Sequence, residues 1–342
     1  MAIAISKGRL TPARLATVIV ALFVLLLLFS AVAIAVGSER IPVETILRIV
    51  WSDVFGGSVE ATTEQRVIIS DIRLPRVLMA ILVGGALSVA GASYQALLRN
   101  PLADPYILGV STGAALGAIA ATVFAESLPV GRPVAAFIGA VLAIMTVYFL
   151  GQGRQRASTE RLILAGVITN TFLSSVVIFL LTAASGSRLR SVFSWLIGDL
   201  NGEMRLLPIV AVFIMTGIAI IYVNARSLNL MMTGEDEARA LGVEVERVKV
   251  IVYLASSLIT GAAVAASGVI GFVGLVIPHA IRLAGGSDNR IVVPASALVG
   301  AVFLLLADTV ARTVIAPREL HIGVITAVVG APIFVYLLRR AS

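Results

Sequence analysis

Apolar residues in this chain are gathered into long runs, each closed by a short stretch of polar and turn-forming residues. A helix that crosses a bilayer needs about 20 mostly apolar residues. Runs of that kind lie near 14–36, 73–97, 106–125, 132–150, 161–184, 206–224, 248–267, 268–285, 293–314 and 321–338. The pattern predicts an all-α polytopic membrane protein of about ten transmembrane helices, with a single transmembrane domain over 1–342. The first run is longer than the apolar core of a usual signal peptide and no clear cleavage site follows, so it reads as an uncleaved span. The eighth is short and contains Pro278. A broken or re-entrant helix stays open there, because irregular backbone is tolerated where protein covers it.

Two polar segments are more than connectors. Residues 37–72 are long and mixed in charge, with an amphipathic stretch PVETILRIVWSDVF. Residues 226–249 read RSLNLMMTGEDEARALGVEVERVK. Thr233 is a candidate N-cap with Asp236 three positions on. Glu235, Asp236 and Glu237 fall in the first turn, where the helix dipole favours acids, and Gly242 suits the stop. A short helix over 234–241 follows; spacing alone makes it a capped linker. Small residues recur at helical spacing, at Gly113 and Gly117, at Gly84, Ser88 and Ala92, and at Gly323 and Gly330. Such spacing lets backbones approach closely in lipid, which suits a compact bundle and a dimer.

Composition agrees. The 342 residues are 59% hydrophobic, and 13% are charged, against roughly 25% in a soluble domain. Without cysteine, disulfides, Cys-zinc sites and thiol catalysis are excluded, and two histidines make a multi-His metal site unexpected. The net charge of +7 is topological rather than a sign of nucleic acid. Lys7, Arg9, Arg14, Arg154, Arg156, Arg161, Arg339 and Arg340 fall on one side of a ten-span layout, as does the whole excess, so both termini are cytoplasmic. An odd number of spans breaks this pattern.

Catalytic signatures are missing: there is no GxxxxGK[ST] loop, no HExxH, no GxSxG and no dinucleotide fingerprint. Asp308 and Arg312, four apart, read as a local ion pair. His279 reads as bonding a carbonyl where its helix is interrupted. No series of buried acids or histidines offers a proton relay, so the energy for transport is expected from another polypeptide. A stand-alone secondary transporter is the alternative class.

Seven phrases occur in a telling order: RLPR at 73–76, NPLADP at 100–105, STERLILAG at 158–166, TGEDEARALGV at 233–243, GVIGFVGLVIPHAIRL at 268–283, LLLADTVAR at 304–312 and IGVITAVVGAPIFVYLL at 322–338. Together they resemble the FecCD-type (type II) ABC importer permeases for iron-siderophore, haem or cobalamin uptake. The resemblance implies a non-catalytic permease of a bacterial inner membrane. It implies a second copy of the chain, two cytoplasmic ATP-binding cassette subunits and a periplasmic substrate-binding protein. It implies a metal-chelate cargo, ferric siderophore ahead of cobalamin and haem. ATP and Mg belong to the cassettes, and this chain is expected to hold no cofactor and no metal. The resemblance makes Gly234, Glu235, Asp236, Ala238, Arg239, Leu241 and Gly242 a coupling helix for the cassette. It gives Arg73, Arg76 and Arg312 to docking of the binding protein, a role that suits bidentate contacts to carboxylates. Asn100, Leu102, Thr159 and Glu160 become a cytoplasmic gate, and Asn170, Thr171, Ser174 and Thr326 line the pathway. Two residues depart from the family pattern. Glu160 stands where a small hydroxyl residue is usual, so it repels an anionic cargo or pairs with Arg161. His321 stands where proline is common.

Overall fold

The computed structural model describes residues 12–37, 39–56, 61–124, 131–151, 159–183, 187–201, 204–316 and 318–341. Among the described residues there is no strand. In chain order the helices are α1 (Pro12–Ala35), α2 (Val43–Phe55), α3 (Thr63–Arg66), α4 (Leu74–Leu97), α5 (Val110–Phe124), α6 (Arg132–Gly151), α7 (Thr159–Ala183) and α8 (Ser187–Leu196). There follow α9 (Leu207–Val223), α10 (Ala225–Thr233), α11 (Glu235–Ala240), α12 (Val245–Ser267), α13 (Val273–Gly285), α14 (Asn289–Thr313) and α15 (Ile322–Ala341).

The bundle is built around α4. Its helix begins early: Thr62 caps α3 in a reciprocal capping box with Gln65, and a π-helical turn, Val67–Arg73, runs straight into α4. The continuous rod Thr63–Leu97 has 35 residues, about 52 Å at 1.5 Å per residue. That exceeds a hydrocarbon core of about 30 Å, so α3 and the π-turn stand outside the hydrocarbon core. Most of α4 is buried, packed on α14, α12, α13 and α9. The crossings are close because the residues there are small. A side chain at Gly84 would collide with the Gly300 carbonyl, and one at Gly91 with the carbonyl of Gly274. Helices α5 and α6 meet in the same way through Gly113, Gly117 and Gly139, and α7 packs on both. The predicted small-residue spacing is thus used inside the chain at these crossings. Helix α1 lies outermost against α14, with Phe23, Val24, Leu27 and Leu28 exposed, as a lipid-facing span requires.

Each of the ten predicted runs lands on a helix, but not each helix is a full span. Among the described residues six helices are long and apolar enough to cross, and a seventh joins them if α9 and α10, bent by 51°, count together. Helices α5 and α13 are shorter, as is the apolar part of α15, Ile322–Leu337. The predicted eighth span over 268–285 is corrected to a half-length helix. Helix α12 stops at Ser267, and Gly268 and Phe272 take left-handed φ of 68° and 69°. The 13 residues of α13 reach about 20 Å. The sequence pattern missed α8 and the break that makes α10 a helix of its own.

Candidate functional sites at the two ends of the bundle

At the cytoplasmic end, α9 turns through 51° at Asn224 into α10, and α10 is cut from α11 by Gly234. The N-cap is Gly234, with φ 154° and ψ 149°, and not Thr233 as expected. Thr233 is still helical and its hydroxyl bonds back to the Leu230 carbonyl at 2.7 Å. A β-carbon at Gly234 would meet only the movable Glu237 carboxylate, so it is the backbone angle that favours glycine there. Helix α11 closes as anticipated. Gly242, at φ 83°, donates to the Arg239 carbonyl and Val243 to that of Ala238, the paired bonds of a Schellman stop.

Ion pairs fasten this helix to the next one. Arg239 reaches Asp236 at 2.7 Å, Glu246 at 3.1 Å and Glu235 at 3.4 Å. Lys249 of α12 holds Glu235 at 2.7 Å. Ala238 is fully buried, whereas Asp236, Glu237, Ala240 and Leu241 face outward. A short rigid helix, closed at its stop and bolted to α12, presents a mixed acidic and apolar face to the cytoplasm.

Behind α10 lies a polar network that sequence reasoning missed. Asn229 donates to Asp288 at 2.7 Å and accepts from the backbone and side-chain amides of the fully buried Asn289. Arg282 donates to Asn289 at 3.1 Å and to the Ala92 carbonyl at 2.9 Å. Asp288 caps α14. Burial pushes its carboxyl up, but hydrogen bonds from Arg290 and Asn229 outweigh that and hold it below the usual carboxylate range. The signal available in the sequence was an Asp just before a helical run.

The loop between α4 and α5 is built on Asx turns. Asn100 accepts from the Leu102 amide at 2.9 Å, and Asp104 from the Tyr106 amide at 2.8 Å. Asn100 and Leu102 are exposed. Burial raises the Asp104 carboxyl to about 6, against the opposing Tyr106 hydrogen bond. Thr159 and Glu160 open α7, and Glu160 is exposed; the Thr159 side chain lies outside the described residues. On α7, Asn170 is half-buried and accepts from Thr112 of α5. Thr171 is exposed and Ser174 half-buried. Thr326 departs from expectation: it is fully buried on α15, its hydroxyl on the Gly323 carbonyl.

The external arginines also depart from expectation. Arg73, Arg76 and Arg312 are 4%, 5% and 6% exposed, and Asp308 between them is 0% exposed. Arg76 meets Asp308 at 2.8 Å and Arg312 meets its other oxygen at 3.0 Å. Arg76 also holds Asn201 at 2.8 Å and Glu319 at 2.6 Å. Arg73 donates to the carbonyls of Ile34, Ala35 and Glu39, and Arg312 to those of Ala33 and Val36. Two guanidinium groups therefore close the C-terminal end of α1, where the helix dipole favours cations. Their donors are engaged within the chain, so in this conformation they do not form the open basic surface expected for an acidic partner. The predicted Asp308–Arg312 pair is present and is shared with Arg76. His279, expected to bond a carbonyl, packs edge-on to Phe334 with its Nε2 lacking a partner. Among the described residues no three His, Cys, Asp or Glu side chains gather as metal ligands do.

Known proteins show the same plan. Residues 22–340 match the FecCD transport family. An uncharacterised ABC transporter permease protein of Bacillus subtilis, YvrB, is 46% identical over 90% of this chain and 89% of its own length. A cobalamin import system permease protein of Halobacterium salinarum is 44% identical over 80% and 74%. A hemin transport system permease protein of Yersinia pestis is 43% identical over 79% and 82%. Among solved structures, an inward-facing metal-chelate type ABC transporter superposes with a TM-score of 0.83 at 29% identity, covering 95% of this chain and 99% of that one.

Proposed function

This chain belongs to the FecCD transport family and is the permease of an ABC importer, and from that premise we propose that it carries a ferric siderophore through a homodimer driven by two ATP-hydrolysing cassettes. The observation that carries the coupling role is the α11 unit. Its outward face, with Leu241 exposed one turn after Glu237, is shaped to seat in a partner's groove. Its ion pairs to Lys249 and Glu246 make α11 and the start of α12 one body. Closure of the cassettes then moves α12, which packs on α4, α9 and α6, as a rigid element and not as a flexing loop. Asn100 and Leu102, with Thr159 and Glu160, form the cytoplasmic gate. Asn170, Thr171 and Ser174 give α7 a neutral polar face that passes a large cargo without holding it. A periplasmic binding protein supplies the tight binding.

The cargo is tested in proteoliposomes holding the permease, its cassettes and its binding protein. Ferric siderophores are compared with cobalamin and haem, the compounds for which the 44% and 43% identical relatives are named. ATP-dependent uptake of a ferric siderophore is expected. Uptake confined to cobalamin or haem overturns the cargo, and uptake without cassettes overturns the coupling.

A further inference from the structure

Helix α2 has two apolar sides. Ile46 and Ile49 are buried, in a small core with Ile41 and with Ile69 of the π-turn, against which Ile34 and Ala35 at the end of α1 also pack. The other side carries Val43, Leu47, Trp51 and Phe55, four residues apart and 60%, 64%, 65% and 68% exposed. The Trp51 and Phe55 rings lie 4.3 Å apart, and the Glu44–Arg48 ion pair runs beside the stripe. The buried side is fixed by polar ties as well: Arg66 donates to Ser52 at 2.9 Å and Ser70 to Asp53 at 2.5 Å. The exposed stripe therefore cannot turn inward without breaking them.

The height of this helix above the bilayer follows from its neighbours. Ile69 lies five residues before Leu74, where α4 begins, or about 7 Å at helical rise. Helix α1 ends at Ala35, and seven residues separate it from α2. Headgroup layers extend about 5–8 Å beyond each face of the hydrocarbon core, so α2 lies at that level. It is also peripheral, stacked on the end of the lipid-exposed α1, whose own exposed row runs on through Val32 and Val36. In water, four large apolar side chains on one helix face would form a patch of the kind that marks an interaction site. At the headgroup level Trp, Phe and Leu on one face of an amphipathic helix are a usual anchor.

We propose that the Val43–Leu47–Trp51–Phe55 face of α2 is a membrane-interface contact, lying in the outer-leaflet headgroup region with the lipid surface as its partner. Through Ile49 and Ile69 it ties the state of that interface to the π-turn that leads into the central span.

The chain has two tryptophans, and Trp195 is buried, so Trp51 can report alone. Trp195→Phe permease is reconstituted in nanodiscs whose lipids carry bromines near the headgroup or near the chain ends. The expected result is loss of Trp51 emission with shallow bromines, weaker loss with deep ones, and protection from aqueous iodide. If Trp195→Phe perturbs folding, the difference between wild type and Trp51→Phe reads the same quantity. Iodide quenching with no effect of brominated lipid overturns the proposal, because the face is then in water. Protection from both quenchers also overturns it, because the face is then covered by a second copy; shielding that appears only on adding the binding protein assigns it to that partner instead.

Discussion

Two ionic clusters sit at opposite ends of the bundle, each centred on arginine and acids, and their arginine–aspartate pairs differ in burial. At the external end Asp308, fully buried, is shared by Arg76 and Arg312. At the cytoplasmic end Arg239 is 31% exposed and Asp236 94% exposed. Buried ions have lost their water, so each depends on its partner, and removing one strands the rest. Exposed ions keep water and salt as alternatives, so such pairs contribute little to stability. The external cluster is therefore a lock between α4, α14 and the end of α1. The cytoplasmic one sets an orientation.

The largest effect expected from this contrast belongs to Asp308→Ala, which leaves two buried guanidinium groups facing each other. Loss of one partner from a buried pair costs about 3–5 kcal/mol, and here Arg312 loses its carboxylate while Arg76 keeps only the half-exposed Glu319. The variant should lose most of its thermal stability in detergent, and that loss should not respond to salt. A melting temperature within a few degrees of wild type would erase the distinction between the clusters.

The origin of the lock was not legible in the sequence. The RLPR arginines were placed at the start of the α4 span, where the structure has them, since apolar run length fixes where spans end. Their burial depends on contacts 34 to 39 residues away for Arg73 and 232 away for Arg76, and no local pattern carries that. Helix α11 was legible because its stop and its first-turn acids are local. Its start was misplaced by one residue, because a Thr that can cap can equally bond back within the preceding helix. The π-turn was invisible, since it shifts hydrogen bonds without changing apolar periodicity. The half-length α13 was legible only as an irregularity around Pro278.

A buried acid held by a backbone amide instead of a guanidinium gives a smaller effect and sharpens the comparison. The Asp104 carboxyl titrates at about 6 in the folded chain against 3.8 otherwise, because burial disfavours its charge. A raised carboxylate leaves stability intact below the unfolded value and costs stability as pH rises through the folded one. Asp104→Asn keeps the oxygen that accepts from Tyr106. It should raise the melting temperature at pH 7.5 and leave it unchanged at pH 4, where the wild-type group is protonated. A shift of equal size at both pH values would show that packing, not ionisation, sets its effect.

The smallest stability change is expected where the functional change is large. Arg239→Ala removes three ion pairs that water reaches, and pairs of this kind are screened within about 10 Å at 0.1 M salt, so the melting temperature should barely move. Yet Arg239 and Lys249 together hold α11 against α12 through Glu235 and Glu246. Without Arg239 the helix keeps its Schellman stop but loses part of its fixed angle to α12. Cassette closure then turns α11 without carrying α12 along. The expected signature is ATPase activity that persists while uptake per ATP falls, measured in the same proteoliposomes. High salt should mimic it in the wild type. If uptake and ATPase fall together, the cassette has lost its seat instead. If neither changes, the ion network has no part in coupling and the rigidity of this end rests on Ala238 and the glycines alone.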